Sequence, residues 1–174
     1  MKRNSSFLHL TAATVMISIT FACTKSTSLS PESNDRGKTT FKVAQMSPNS
    51  QPMFSTSKEA LSENIMKRVS GVHNIRDHSI EQFGNTYYLT AKATDLNNTN
   101  VSIAVELAYN EYGNSYNLVG TGNTHTCTSQ AGCSGCEFVR GTDPHNSGQI
   151  IGCRCTIQTS SDGKCQHSVT TVEK

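Results

Sequence analysis

No tryptophan occurs in this chain of 174 residues, prolines number four, and charged residues make up 16% of it. The missing patterns exclude more than the missing residues do. There is no His-Glu-x-x-His pair, no phosphate-binding glycine loop, no Gly-x-Ser-x-Gly elbow and no carboxylate pair in a recognisable frame. Those gaps remove the common metallopeptidase, nucleotide-hydrolase and serine-hydrolase layouts. No internal repeat is visible, which sets aside solenoids and propellers. The longest apolar run, Phe7 to Ala22, is too short and too rich in Thr and Ser to span a bilayer, since a membrane helix needs about 20 strongly apolar residues. Concentrated positive charge is also absent where a domain could use it. From Lys58 onward there are 9 Lys and Arg against 11 Asp and Glu, a difference of −2, while the first 57 residues carry the compensating +4. The expectation is no nucleic-acid partner.

What is present is led by seven cysteines, which divide into one and six. Cys23 stands alone behind the apolar run. Cys127, Cys133, Cys136, Cys153, Cys155 and Cys165 crowd into the last part of the chain. The N-terminal layout is that of a secretory signal: Met1, Lys2 and Arg3 give a basic start, the apolar stretch follows, and Thr20 and Ala22 place small residues before Cys23. An exported chain favours an even set of paired cysteines, and the six satisfy that without Cys23.

Thr20-Phe21-Ala22-Cys23 resembles the lipobox of bacterial lipoproteins. The resemblance covers the first 23 residues and implies cleavage before Cys23 and acylation of that residue with palmitate-type chains. More than one chain is enough for stable anchoring. Thr24 stands where an Asp retains some lipoproteins at the inner membrane, so the implied location is the cell envelope at the outer membrane, with the membrane itself as a partner through the anchor. Lys25, Arg36, Lys38 and Lys42 would then lie near anionic lipid surfaces. The cysteine-rich tail is similar to those of small uncharacterised envelope proteins, and that similarity implies no activity.

Four stretches follow from composition and period: a signal peptide over 1–22, a lipid-anchored flexible tether over 23–57, a helix plus antiparallel sheet over 58–120, and a cysteine-rich segment over 121–174. The tether is crowded with Ser, Thr, Asn, Lys and Pro and has no sustained apolar period, so it should not repay its ordering entropy. A random coil of roughly 34 residues reaches on the order of 30 Å. Docking of Phe41, Val43, Met46, Met53 and Phe54 onto the domain is the alternative. A helix is expected next, with a capping box at Thr56 to Glu59, apolar positions Leu61, Ile65, Val69 and Val72, and a stop at Gly71. The period then changes to two: Tyr87, Leu89, Ala91 and Ala93, then Val101, Ile103, Val105, Leu107 and Tyr109, alternate with mostly smaller or polar residues. Turns at Gly84-Asn85 and Tyr112-Gly113-Asn114 add flanking strands over Ser79 to Phe83 and Tyr116 to Val119. The expected fold class is α+β: one N-terminal helix packed on an antiparallel β-meander of about four strands, followed by a cysteine-rich, loop-dominated knuckle. The period-two placement of the tyrosines favours sheet packing over a stacking platform for sugars or bases.

The tail holds little apolar bulk and needs cross-links. Disulfides are the first reading for an exported segment. Cys153 and Cys155 are too close to pair easily with each other, which leaves about 12 of the 15 possible arrangements open. Zinc is the alternative cofactor: Cys133-Ser134-Gly135-Cys136 and Cys153-Arg154-Cys155 supply two close thiolate pairs, and His125 and His167 flank the outermost cysteines as secondary ligands. An iron–sulfur cluster is disfavoured because the signal lacks twin arginines. A thiol–disulfide redox centre at Cys133 and Cys136 is the least favoured reading, because Glu137 to Gly141 is too short for the helix that activates such a thiol. His73 and His78 beside Asp77 read as polar residues at a helix end. The sequence therefore leads to an anchored, non-enzymatic envelope protein with a binding or structural role, whose partner is a protein or small molecule of unstated identity, and with a zinc-binding protein as the alternative.

Overall fold

The structure, a computed structural model, describes residues 40–171. Cys23 and the signal-like run lie outside the described residues, as does the first part of the expected tether, 23–39. The elements in order are β1 (Phe41–Met46), β2 (Pro52–Phe54), α1 (Lys58–Arg68), β3 (Val72–Phe83), β4 (Thr86–Asp95), β5 (Asn100–Asn110), β6 (Ser115–Leu118), β7 (Asn123–Ser129), β8 (Cys133–Arg140), β9 (Ile150–Gln158) and β10 (Cys165–Thr171). Eight strands form one antiparallel sheet that curls into a nearly closed barrel, and β8 and β9 form a separate hairpin.

The α+β expectation is overturned. A single short helix accompanies ten strands among the described residues, and the sheet is a barrel-like wrap instead of a four-strand meander. Two causes account for the difference. First, the segment assigned to the tether folds from Phe41 onward: β1 pairs antiparallel with β6, and Val43 and Ala44 are fully buried. Its short apolar stretches find a partner strand only through a long-range pairing, which composition does not report. Second, the segment expected to be loop-dominated is mostly strand, and two of its strands belong to the main sheet. In β7, Thr124, Thr126 and Thr128 alternate with His125, Cys127 and Ser129. β-branched residues favour the pleat even when they are polar, so a search for alternating apolar residues passes over them.

Strand β5 organises the sheet. One edge pairs with β4 from Asn100 to Leu107. The other edge is shared, with Val101–Val105 bound to β7 and Leu107–Asn110 bound to β6. β10 extends the sheet beyond β7, and β1 and β2 extend it beyond β6. Local chemistry sets the turns: at the β4–β5 turn the Asp95 carboxylate accepts from the backbone N–H groups of Asn97 and Thr99 at 2.9 and 2.8 Å, and Asn98 takes φ +59.

The period of two then allots side chains to two faces. Leu89, Ala91, Ala93, Val101, Ile103, Val105 and Leu107 meet Val43, Leu61, Ile65, Tyr116 and Leu118 in the main core. Helix α1 closes that core with Leu61 and Ile65. Its N-cap is Ser57, whose hydroxyl accepts from Ala60 N–H at 3.3 Å. Thr56, expected to cap, donates instead to the Lys42 carbonyl at 2.6 Å and so ties the helix entry to β1. Tyr87 and Tyr109 flank Tyr116 with ring centroids 4.6 and 5.0 Å away, so three of the five tyrosines pack together. Burial and these neighbouring rings raise the Tyr116 hydroxyl above its ordinary pKa.

The opposite face of β5 is buried as well: Ser102 and Ala104 are covered along with Val101, Ile103 and Val105. The β8–β9 hairpin provides the cover. Phe83, Tyr88, Ala104 and Ile150 form a second small core with Phe138 against it. Close backbone contact seats the far end of the hairpin on the β3–β4 turn. An added Cβ at Gly148 would lie 2.7 Å from the Gly84 nitrogen, so only glycine permits this approach.

Candidate functional site

All six clustered cysteines are paired, as Cys127–Cys153, Cys133–Cys155 and Cys136–Cys165. In order along the chain the first joins the fourth, the second the fifth and the third the sixth, so each bridge crosses the other two. Cys127 on β7 and Cys165 on β10 belong to the main sheet, while the other four lie on the hairpin. Two bridges therefore rivet hairpin to sheet, and Cys133–Cys155 closes the hairpin on itself. Cys133 and Cys136 are bonded to different partners, and the segment between them begins a strand with no helix behind it. The sulfurs gather into a third buried cluster with Phe138. Cys133 Sγ lies 3.5 Å from Cys165 Sγ and 3.9 Å from Cys136 Sγ, so two bridges touch.

Polar contacts reinforce the rivets. The Lys92 ammonium donates to Ser102 Oγ at 2.8 Å and to the Cys136 carbonyl at 3.2 Å, and Ser102 Oγ donates to the same carbonyl at 2.6 Å. Asn100 Nδ2 donates to the Ser134 carbonyl at 2.8 Å. These side chains sit on β4 and β5, on the face that alternation assigns away from the main core. Because they are polar, that face reads from sequence as solvent-exposed.

Beside this latch the hairpin stands off from the sheet and leaves a cleft of about 760 Å³. Its floor carries Ser79, Glu81, Thr90 and Lys92 from β3 and β4, and its wall carries Glu137, Phe138, Arg140 and Arg154 from β8 and β9. Glu81 is held in place, since Ser79 and Thr90 hydroxyls donate to its Oε1 at 3.1 and 2.9 Å. The Arg140 guanidinium lies 4.6 Å over the Phe83 ring. Arg154 and Glu137 pair across the hairpin at 3.4 Å near solvent, a contact of small energetic weight. The cleft thus offers carboxylate, hydroxyl, cationic and aromatic groups within one volume. Its charged residues Glu81, Lys92, Arg140 and Arg154 were not expected as binding groups from the sequence, because the cleft joins strands that are far apart in the chain. The one local hint is the alternation of Ser79, Glu81 and Phe83.

The secondary metal candidates find each other. His125 on β7 and His167 on β10 are joined by a ring hydrogen bond, Nδ1 to Nε2, of 3.2 Å, with their rings 11° from parallel. Tyr88 packs edge-on against His125. This pair has no cysteine ligand beside it: the group of three ligand atoms found among the described residues is Cys133, Cys155 and Cys165, mutually within 4.8 Å. Of the other histidines considered, His78 meets Ser62 Oγ of α1 at 3.1 Å, and the exposed Asp77 contacts Arg76 at 3.7 Å. His73, Asp77 and His78 all lie within β3 and not at a helix end, and among the described residues no side-chain hydrogen bond joins His78 to Asp77.

Burial lowers the pKa of His125, with the neighbouring His167 adding to the effect, and burial alone lowers that of His167. His78 is lowered too, first by burial and then by Lys58. Each ring therefore binds a proton less readily folded than unfolded. As pH falls through the ordinary value of 6.5 the unfolded chain takes up the extra protons first. The stability these groups contribute is full above about 6.5 and declines below it until the depressed folded values are reached. Denaturant midpoints are expected to be lower at pH 5 than at pH 7.5, and His125→Asn with His167→Asn should reduce that difference. An unchanged pH difference in the double variant would remove the pair as its source.

Comparison with known proteins returns no match: the chain fits no family model, and no curated protein or solved structure resembles it significantly. Among the described residues no helix is long and apolar enough to cross a membrane.

Proposed function

We propose that this is a cell-envelope lipoprotein, anchored through acylated Cys23, that binds a polar ligand in the cleft between β3–β4 and the β8–β9 hairpin and performs no catalysis. The observation that carries the reading is the set of three crossing disulfides. Such bridges persist in oxidising, exported compartments, which agrees with the lipobox-like Thr20-Phe21-Ala22-Cys23. They also make the cleft rigid, because its movable wall is tied to the sheet at two points. Rigid walls lower the ordering cost of binding. The volume of about 760 Å³ lies within the range of small-molecule sites, roughly 300–1,000 Å³. Charges of both signs beside Phe83 suit a ligand with both donors and acceptors and an apolar edge.

One preparation from detergent-solubilised membranes tests both halves. Mass spectrometry of the N-terminal peptide is expected to show chain cleavage before Cys23 and acyl mass on it; an unmodified Cys23 or a retained Met1 would sink the anchoring. On the same material, isotope-labelled, a panel of sugars, amino acids and short peptides should include a compound whose NMR shifts cluster at Glu81, Lys92 and Arg140. Shifts confined to other surfaces would sink the binding site.

A further inference from the structure

We infer that Cys133, Cys136, Cys155 and Cys165 become a four-thiolate zinc site when the two touching disulfides are reduced. The inference is independent of the ligand cleft and of the lipid anchor.

The geometry leads to it. Tetrahedral zinc holds thiolate sulfurs at about 2.3 Å, which places the sulfurs of one site about 3.8 Å apart. The contacts between the Cys133–Cys155 and Cys136–Cys165 bridges already have that spacing: Cys133 to Cys165 is 3.5 Å and Cys133 to Cys136 is 3.9 Å. Cys155 lies within 4.8 Å of Cys165 as well. The two bonded pairs have to open, and Cys136, which stands outside the group formed by Cys133, Cys155 and Cys165, has to close on Cys155; Cα separations of 5.9 and 6.0 Å within the pairs leave room for side-chain rotation.

Contacts other than the disulfides place part of the ligand set, and binding of the metal would reorder the rest of the hairpin after reduction. Lys92 and Ser102 grip the Cys136 carbonyl, and Asn100 grips the Ser134 carbonyl, so the Cys133–Cys136 segment has contacts to β4 and β5 that a bound metal can restore once the bridges are reduced. Ser129 Oγ lies 3.4 Å from Cys136 Sγ, where its hydroxyl can donate to a thiolate. Four thiolates around one Zn²⁺ carry a net charge of −2, and the Lys92 ammonium stands beside the site to offset part of it. Cys127 and Cys153 are bonded to each other and supply no atom to the group of Cys133, Cys155 and Cys165, and His125 and His167 are hydrogen-bonded to each other.

The chemistry balances with a dithiol as reductant. Each disulfide accepts two electrons and two protons from one dithiol, which leaves as its own disulfide. Two dithiols give four protein thiols, and binding of one Zn²⁺ displaces their four protons to solvent.

The test uses the full chain, reduced without oxygen by a phosphine that does not compete for metal. Addition of Co²⁺ should produce a sulfur-to-cobalt charge-transfer band and the visible bands of tetrahedral four-sulfur cobalt, at one ion per chain, and one Zn²⁺ should bleach them. The variant Cys127→Ser with Cys153→Ser should keep the spectrum and the stoichiometry. Cys165→Ser should weaken zinc binding by more than about 100-fold, beyond what removing an outer hydrogen-bond partner of a zinc ligand costs. A reduced chain that yields no four-sulfur cobalt spectrum overturns the proposal. So does a spectrum that survives Cys165→Ser unchanged or disappears with Cys127 and Cys153.

Discussion

Reduction of all three disulfides is expected to strip protection from hydrogen exchange along Cys133–Arg140 and Ile150–Gln158 while leaving it along Leu89–Ala93 and Val101–Val105. The bridges close spans of 26, 22 and 29 residues, and loops of that length contribute about 3–4 kcal/mol each through the entropy of the unfolded chain. Because the three loops overlap, their joint effect is smaller than three separate ones. It is still comparable with the whole stability of a domain, about 5–15 kcal/mol. The hairpin β8–β9 depends on these bridges most, since it offers only Phe138, Ile150 and its own cysteines to the buried clusters. The main core has Leu61, Ile65, Leu89, Ile103 and Tyr116 in contact without any cysteine. β7 and β10, though they carry Cys127 and Cys165, keep their ladders to β5 and to each other, so their protection should fall only in part. Simultaneous loss across both regions on reduction would show a single cooperative unit and refute this division.

The second large effect is expected at Ile103. Its side chain is fully buried in the main core, and its backbone is paired with Ala91 on one side and Thr126 on the other. A cavity there is walled by two ladders and has little room to collapse. Ile103→Ala should therefore cost about 2–5 kcal/mol and lower Tm by roughly 8–20 °C at about 4 °C per kcal/mol for a domain of this size. Tyr112→Ala, at a fully exposed turn position, serves as the control and should change stability by less than about 0.5 kcal/mol. Equal shifts for the two variants, measured by thermal denaturation under oxidising conditions, would mean that β5 is not the centre of the core.

Much of the candidate site was present in the sequence only as an inventory. The six cysteines and the two histidines could be named, because their types and clustering are visible in one dimension. Their pairing could not, since spacing left about 12 arrangements open and the outcome depends on which strands lie side by side. Cys136 illustrates this: its nearest partner across the hairpin ladder is Cys155, yet it bonds to Cys165 on the main sheet. Of the cleft residues, Glu81 had only the alternation of its strand as a local signal, and Lys92 and Arg140 had none.

By itself the sequence determined the features that depend on a few neighbouring residues. Helix α1 follows from an apolar stripe at 3.6-residue spacing, though Ser57 caps it in place of Thr56 and Val72 leaves the stripe to begin β3, and the second half of β3 with β4 to β6 follows from alternation punctuated by turn residues such as Gly84 and Asn98. An even set of six cysteines pointed to cross-linking, and all six are cross-linked. Tertiary structure alone decided that Phe41–Met46 joins the sheet, that threonine-rich β7 and β10 extend it, and that the polar face of β5 is covered by the hairpin. The reason is physical. Local periodicity records which side of an element can be apolar, whereas strand partners and disulfide partners are chosen by segments tens of residues apart, where Ser102 becomes buried and Lys92 half-buried only because another strand supplies their hydrogen-bond acceptor.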